Sequence, residues 1–232
     1  MRTDEGFELF FNRDEAITRL PEEPARSFVA EGVQVLAPFD GESGGTWIIV
    51  NEFGLCVTLL NAYVSGPERA KYTTRGRVPL TLGACRSQQL AGDALAALEL
   101  EVFRPFHLAL VAPGVDAWLY TWDGEQLTRQ DAEALMPLAS SGADHEVART
   151  RRRKHLADLS AGAPPSADTL ARFHASHEDG PSPWSPCMHA QAAETRSLCR
   201  VAVDATSVRL THTPGAPCRT APGDLLGLER RR

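Results

Sequence analysis

The chain has 232 residues, of which 43% are hydrophobic, 23% charged and 7% aromatic, as in an ordinary globular protein. Its formal net charge of −6 at pH 7 argues against a nucleic acid as the main partner, because phosphate-binding surfaces are basic. Apolar stretches are no longer than a strand and residues 1–20 lack the apolar core of a signal peptide, so we predict a cytoplasmic protein without a transmembrane segment.

Short apolar runs bounded by glycine, proline or polar residues predict roughly eight strands. They are expected at residues 6–11, 46–50, 54–61, 106–112, 117–122, 126–129, 197–203 and 208–213. Residues 20–43 are rich in proline and glycine and are expected to be mostly loop, with one short strand at 33–36.

Apolar residues at helical spacing predict helices over residues 90–103, 144–159 and 167–174. Because the helices come in blocks and do not alternate with strands, the pattern favours an α+β fold over a parallel doubly wound sheet. Strands that are apolar on both faces indicate two packed sheets with helices outside. We therefore predict a single layered domain over residues 1–232.

A polar cluster, Asn12-Arg13-Asp14-Glu15, follows the first apolar run directly. A charge beside a hydrophobic core requires a partner. Arg13 is therefore expected to pair either with a neighbouring acid, as a structural ion pair, or with a ligand.

Three further features carry only weak signals on their own. Residues 44–47, Gly-Gly-Thr-Trp, allow either a sharp turn into a strand or the close approach of a ligand. Asn61 ends an apolar strand, where its amide can donate to an oxyanion or simply terminate the strand. The basic turn at residues 75–77 fits an anion site or a solvated loop.

Histidine and cysteine are frequent towards the end of the chain. The six residues concerned are His174, His177, Cys187, His189, Cys199 and Cys218. Their spacing differs from the paired ligands of common zinc motifs, and Cys199 lies in an apolar strand, so we predict no metal and no cofactor. The five cysteines of the chain form no CxxC pair, which favours reduced thiols over disulfides.

Several of these pieces, in this order, resemble the NRDE family, also called the transport-and-Golgi-organisation family. The matching segments are residues 11–15, 44–47, 54–61, 75–77, 106–108, 140–142, 187–189, 195–197 and 215–218. The resemblance therefore covers nearly the whole chain, and Asn-Arg-Asp-Glu with Gly-Gly-Thr-Trp at this separation is its most specific part.

The resemblance implies an N-terminal-nucleophile hydrolase-like fold, a four-layer α-β-β-α sandwich of two mainly antiparallel sheets. It also implies amide hydrolysis by an N-terminal cysteine, with Arg13 beside the nucleophile, Asp14 orienting the amine or the arginine, and Asn61 holding the oxyanion. The residues then expected to contact a small-molecule ligand are Asn12, Glu15, Gly45 and Thr46.

The beginning of the chain departs from the family pattern, in which a first strand carries a cysteine directly after the initiator methionine. Here the chain runs from Met1-Arg2-Thr3 straight into the strand before Arg13. We favour a true start further upstream, because loss of a strand leaves unpaired backbone groups at a sheet edge. The alternative is a natural variant that kept the fold and lost catalysis.

Four possibilities therefore stay open at this stage, the weakest of them a metal site formed by the histidines and cysteines towards the end of the chain. The first is an amide hydrolase of the N-terminal-nucleophile type whose cysteine is missing from this chain, and the second is a non-catalytic binding or trafficking protein for a lipid-like or haem-like ligand. In the third, the basic helix around residues 149–154 contacts an acidic partner or a membrane surface. The sequence names neither the substrate nor the oligomeric state.

Overall fold

The computed structural model describes residues 1–64, 71–142 and 144–231. The strands, in chain order, are β1 (Arg2–Thr3), β2 (Gly6–Ala16), β3 (Glu23–Ala30), β4 (Val33–Phe39), β5 (Ile48–Asn51), β6 (Cys56–Asn61), β7 (Phe106–Val111), β8 (Trp118–Trp122), β9 (Leu127–Asp131), β10 (Ala193–Val203), β11 (Ser207–Pro214) and β12 (Leu225–Glu229). The α-helices are α1 (Arg77–Leu82), α2 (Gln88–Ala96), α3 (His145–Leu159) and α4 (Ala167–His174).

The strands form two antiparallel sheets. One has five strands in the order β1-β2-β10-β11-β12, and the other has seven in the order β3-β4-β5-β6-β7-β8-β9. The second sheet is a simple meander, because each strand pairs with the next one along the chain. The prediction of an α+β fold built on two antiparallel sheets is confirmed.

The hydrophobic residues form two separate cores. One lies between the sheets and joins side chains such as Phe7 and Val201 of the five-stranded sheet to Ile48 and Val111 of the other. The second lies on the outer face of the seven-stranded sheet, where α1 and α2 bury Leu82 and other apolar side chains. Helices α3 and α4 contact each other, and α4 packs on β2, so the layers follow the order α-β-β-α.

Strand β2 is longer than its hydrophobic pattern predicts. The apolar run ends at Phe11, but the strand continues through the polar cluster to Ala16. This extension is stable because alternate side chains point to opposite faces and each finds polar partners there. The polar cluster therefore lies inside a strand and not after its end.

One edge of β2 is largely open. Strand β1 pairs only with Gly6 and Phe7, and the backbone of Glu8 bonds to Met1. Beyond Glu8, no strand among the described residues pairs with β2 on the side opposite β10.

Other predicted elements needed correction. Residues 20–43, expected to be mostly loop, contain β3 and β4, and Pro24 is tolerated because β3 lies at a sheet edge. The basic turn at residues 75–77 leads directly into α1, and the helix expected over 90–103 begins earlier and ends at Ala96. The hairpins around residues 46–61 and 197–213 are confirmed.

Within the part of the chain that the structure describes, no helix is long and apolar enough to cross a membrane.

Candidate functional site

A cavity of about 520 Å³ lies along the open edge of β2. Its wall comes from β2, the segment before β5, the end of β6, the turn before α1, the loop after β9, and helices α3 and α4. The apolar side chains that line it include Phe11, Trp47, Leu60, Met136, Leu138, Leu156, Leu170 and Phe173. All seven site residues expected from the sequence also line this cavity.

The alternation of β2 divides these residues between two faces. Leu9 and Phe11 pack towards the core between the sheets, and the guanidinium of Arg13 lies 4.6 Å from the ring centroid of Trp47 on that same face. Asn12 and Asp14 point the other way, towards the helices. Arg13 and Asp14 are therefore adjacent in sequence but act in different layers.

Arg13 lies in a buried ion network and is only 7% exposed. Its Nη2 donates to Oδ2 of Asp40 at 2.6 Å, and its Nη1 donates to Oε2 of Glu22 at 3.1 Å. Oε2 of Glu15 lies a further 3.4 Å from Nη2. Of the two acids in the cluster only Glu15 pairs with this guanidinium, while the shorter contacts come from Glu22 and Asp40 in a distant segment that the sequence did not indicate.

Asp40 is the hub of this network. Burial opposes its ionisation, but hydrogen bonds from Arg19 and Ser43 outweigh that effect and hold the pKa of Asp40 well below its usual range. The carboxylate is consequently a fixed negative charge that holds Arg13 and Arg19 together.

Asp14 and Asn12 connect β2 to the helical layer. Oδ1 of Asp14 accepts a 2.6 Å bond from Oγ1 of Thr195, its Oδ2 lies 3.7 Å from Nη2 of Arg152, and burial raises its pKa. Nδ2 of Asn12 donates to the backbone oxygens of His174 at 2.9 Å and Pro186 at 2.8 Å. Both side chains are used for internal contacts between layers.

Gly45 and Thr46 bring the cavity wall close to the turn before α1. A Cβ added at Gly45 would lie 2.7 Å from Cα of Gly76, and the Thr46 amide donates to the Gly76 oxygen at 3.0 Å. The Thr46 hydroxyl donates to the backbone oxygen of Ile48 at 2.9 Å, so it stabilises the start of β5.

Asn61 ends β6 at the cavity. Its Nδ2 lies 3.5 Å from the hydroxyl of Tyr63, and its backbone oxygen accepts a 2.6 Å bond from Oγ of Ser140. At 3.5 Å the contact with Tyr63 is a weak one, which leaves the Asn61 amide able to donate elsewhere.

Arg75 lies in the basic turn for which the sequence leaves both an anion site and a solvated loop open. It is half-buried, and Nη1 donates to the backbone oxygen of Pro105 at 2.9 Å. No carboxylate among the described residues forms an ion pair with it, in contrast to Arg13, Arg19 and Arg152. Burial lowers the pKa of Arg75, as expected for a cation that is only partly compensated.

The family model for Transport and Golgi organisation 2 matches residues 4–158. The chain belongs to this family. No curated protein matches it significantly. The match covers the polar cluster of β2, the Gly45 segment and the end of β6, so this part of the family resemblance is confirmed.

Solved structures share the fold of this Transport and Golgi organisation 2 family member. Penicillin V acylase from Agrobacterium tumefaciens is 11% identical with a TM-score of 0.51, and the alignment covers 95% of this chain and 82% of that one. A mutant conjugated bile acid hydrolase from Clostridium perfringens is 10% identical with a TM-score of 0.55, covering 98% and 97%. A second variant of that hydrolase is 9% identical with a TM-score of 0.52, covering 97% and 93%. The expected N-terminal-nucleophile hydrolase-like fold is confirmed.

The thiols of this family member lie away from the cavity. All five cysteines are among the described residues, and none lines it. Cys56 and Cys199 are buried in the core between the sheets, where burial raises the pKa of both. Neither thiol can act as a nucleophile on a molecule in the cavity.

The structure also brings together four of the six histidines and cysteines noted in the sequence. The ligand atoms of His177, Cys187, His189 and Cys218 all lie within 4.8 Å of one another. His174 instead stacks on Phe10, and Cys199 lies in the core between the sheets. Sequence spacing gives only a weak signal for this grouping, because the four residues come from three separate segments.

Proposed function

We propose that the cavity beside β2 binds a small amphipathic molecule through an anionic group held by Arg75. The observation that carries this proposal is the half-buried guanidinium of Arg75, which lines the cavity without a carboxylate partner among the described residues. A carboxylate ligand would supply that partner and accept charge-assisted hydrogen bonds.

The size and lining of the cavity fit such a molecule. Ligand sites typically measure about 300–1,000 Å³ and combine apolar walls with few polar groups. Here the volume is about 520 Å³, and aromatic and aliphatic side chains from both faces of β2 form much of the wall. The apolar part of the ligand would pack along Phe11, Trp47 and Phe173, with its polar end towards Arg75 and Asn61.

In this proposal Arg13 is a positioning residue. Its donors are already engaged by Asp40 and Glu22, so a ligand would compete with buried ion pairs to reach it. Arg13 instead holds the segment around Asp40 against β2 and keeps the ring of Trp47 in place.

The test is a calorimetric titration with penicillin V and with glycocholate, each of which combines a carboxylate, an amide and an apolar body. The wild-type chain is expected to bind at least one of them. Arg75→Gln should raise its Kd about 10-fold or more, since a hydrogen bond to a charged group contributes about 1.5–3 kcal/mol.

The matched control is Arg77→Gln. Arg77 lies two residues further along the chain, its side chain is exposed and it lies outside the cavity, so this variant removes the same charge away from the proposed site. This variant should bind like the wild type. No heat of binding with either molecule, or equal weakening in both variants, would contradict the proposal.

A second candidate function, amide hydrolysis, is supported by the fold and by the unpaired edge of β2. A strand paired at that edge could bring a thiol and a free α-amine to the cavity as nucleophile and base. Mass spectrometry of the same mixtures separates the two functions, because hydrolysis adds water and releases phenoxyacetate or glycine. We expect binding without turnover for this chain, and turnover only for an extended chain that carries such a cysteine.

A further inference from the structure

A group of soft ligands lies at the end of the molecule where α4 meets the five-stranded sheet. His177 follows α4, Cys187 and His189 lie in the loop before β10, and Cys218 follows β11. Their ligand atoms lie within 4.8 Å of one another, although the residues span 42 positions of the chain (177 to 218).

Two of the distances between these atoms match those of a tetrahedral metal centre. Nε2 of His189 lies 3.6 Å from Sγ of Cys187 and 3.5 Å from Sγ of Cys218. Zinc with Zn–S bonds of about 2.3 Å and Zn–N bonds of about 2.0 Å places neighbouring sulfur and nitrogen ligands roughly 3.5 Å apart. One imidazole nitrogen is thus at ligand spacing from both thiols at once.

The surroundings of the two histidines support the same interpretation. Nδ1 of His189 lies 3.8 Å from Oε2 of Glu194, beyond hydrogen-bond distance but on the side from which a carboxylate orients a ligating imidazole through its other nitrogen. Glu194 is itself held by Arg219 at 2.7 Å. Nε2 of His177 is shielded from solvent and has no hydrogen-bond partner among the residues described. A metal ion would satisfy this buried nitrogen.

Backbone hydrogen bonds hold the loop before β10 in place. The Cys187 amide donates to the oxygen of Ser176 at 3.2 Å, and the Thr195 amide donates to the oxygen of Met188 at 2.8 Å. The loop is therefore fixed both to the segment after α4 and to β10, so its two ligands are already positioned and a metal ion would need little rearrangement to bind.

We propose that His177, Cys187, His189 and Cys218 bind one zinc ion in a closed tetrahedral site. Two thiolates and two imidazoles select zinc over magnesium or calcium, which prefer oxygen ligands. Four protein ligands leave no open position for water or substrate, so the ion is structural and not catalytic. It joins the segment after α4 and the loop after Pro186 to the segment after β11, and Pro186 itself lines the cavity.

The experiment uses the full chain, purified under reducing conditions and stripped of metal, with Co²⁺ as the first probe and Zn²⁺ as its competitor. One equivalent of Co²⁺ should give the intense visible bands of a tetrahedral site together with sulfur-to-cobalt charge transfer. Zn²⁺ should then displace it in a one-to-one ratio. This measurement needs no variant and is therefore independent of whether a substitution folds.

Variants then assign the ligands. Cys218→Ser should abolish the charge-transfer contribution of one thiolate to the cobalt spectrum. Cys85→Ser should leave that spectrum unchanged, because Cys85 is a half-buried cysteine outside the group. Glu194→Gln should weaken zinc binding about 10–100-fold with the cobalt spectrum retained, because such carboxylates tune affinity by that amount.

Two results would overturn the proposal. One is reduced wild-type protein that gives no tetrahedral cobalt spectrum. The other is a Cys187–Cys218 disulfide found by mass spectrometry in the protein as isolated, with no metal bound after the disulfide is reduced.

Discussion

Arg13 is held by acids that come from separate parts of the chain. Asp40 follows β4 and Glu22 precedes β3, so the guanidinium fastens the start of the seven-stranded sheet to β2 of the other sheet. Breaking a buried ion pair from one side leaves an uncompensated charge and costs about 3–5 kcal/mol. The same contacts that make Arg13 a good structural anchor make it a poor first contact for a ligand.

His174 makes the free energy of unfolding depend on pH. Burial, together with the charge of Arg152, lowers the pKa of His174 to about 3 from an ordinary value of 6.5. Between these two pH values the unfolded chain takes up a proton that the folded chain does not. The contribution of this residue to the free energy of unfolding is therefore fully present above about pH 6.5. It falls as the pH drops towards 3, by up to about 1.4 kcal/mol per pH unit.

We expect His174→Phe to remove that slope. The ring of His174 stacks on Phe10 with centroids 5.7 Å apart, a contact that phenylalanine keeps, and the backbone oxygen that accepts from Asn12 is unaffected. Urea unfolding between about pH 7 and pH 4.5 should give a flatter dependence for the variant than for the wild type. Parallel curves would show that His174 is not the group responsible.

At the scale of elements, the close approach of two backbones joins the segment before β5 to the turn before α1. A methyl group at Gly45 would meet Cα and the carbonyl carbon of Gly76 at 2.7 and 2.8 Å. Backbone atoms cannot rotate away, so Gly45→Ala must push the two segments apart and weaken the 3.0 Å bond between Thr46 and Gly76. We expect a loss of about 1–3 kcal/mol in the free energy of unfolding.

The control is Gly227→Ala in β12, where an added methyl group would meet only the Val208 oxygen, at 3.9 Å. This change should alter stability by no more than about 0.5 kcal/mol. If both alanine variants unfold at the same urea concentration as the wild type, the contact between Gly45 and Gly76 does not constrain the wall of the cavity beside β2.

The full length of strand β2 is not predictable from its hydrophobic pattern. Hydrophobic alternation stops at Phe11, and sequence pattern alone cannot show that Asn12 and Asp14 find partners on α3, α4 and β10. The partners of Arg13 lie in a segment whose proline and glycine content predicted a loop. Local periodicity identified the core strands well but failed where polar contacts from distant segments stabilise the strand.

At the scale of the whole molecule, the layers followed from sequence more readily than the sites did. Apolar runs such as those of β6 and β7 indicated two covered sheets, and the Asn-Arg-Asp-Glu segment pointed to the family. The family resemblance pointed to residues that line the cavity, but the shape of the cavity could not be foreseen, because its wall combines both sheets, the turn before α1 and helices α3 and α4. The cysteine and histidine group is a similar case, since it exists only once α4 and β11 are brought together.

The open edge of β2 should make one side of the molecule exchange its amide hydrogens faster than the rest. The Glu8 amide points to Met1, so the amides of Phe10 and Asn12 point to that same unpaired edge, while those of Leu9 and Phe11 face β10. In deuterated water, the Phe10 and Asn12 amides should therefore be labelled well before their neighbours. A molecule bound along this edge should slow the labelling of those two amides, and equal protection of all four in the free chain would show that the edge is already covered.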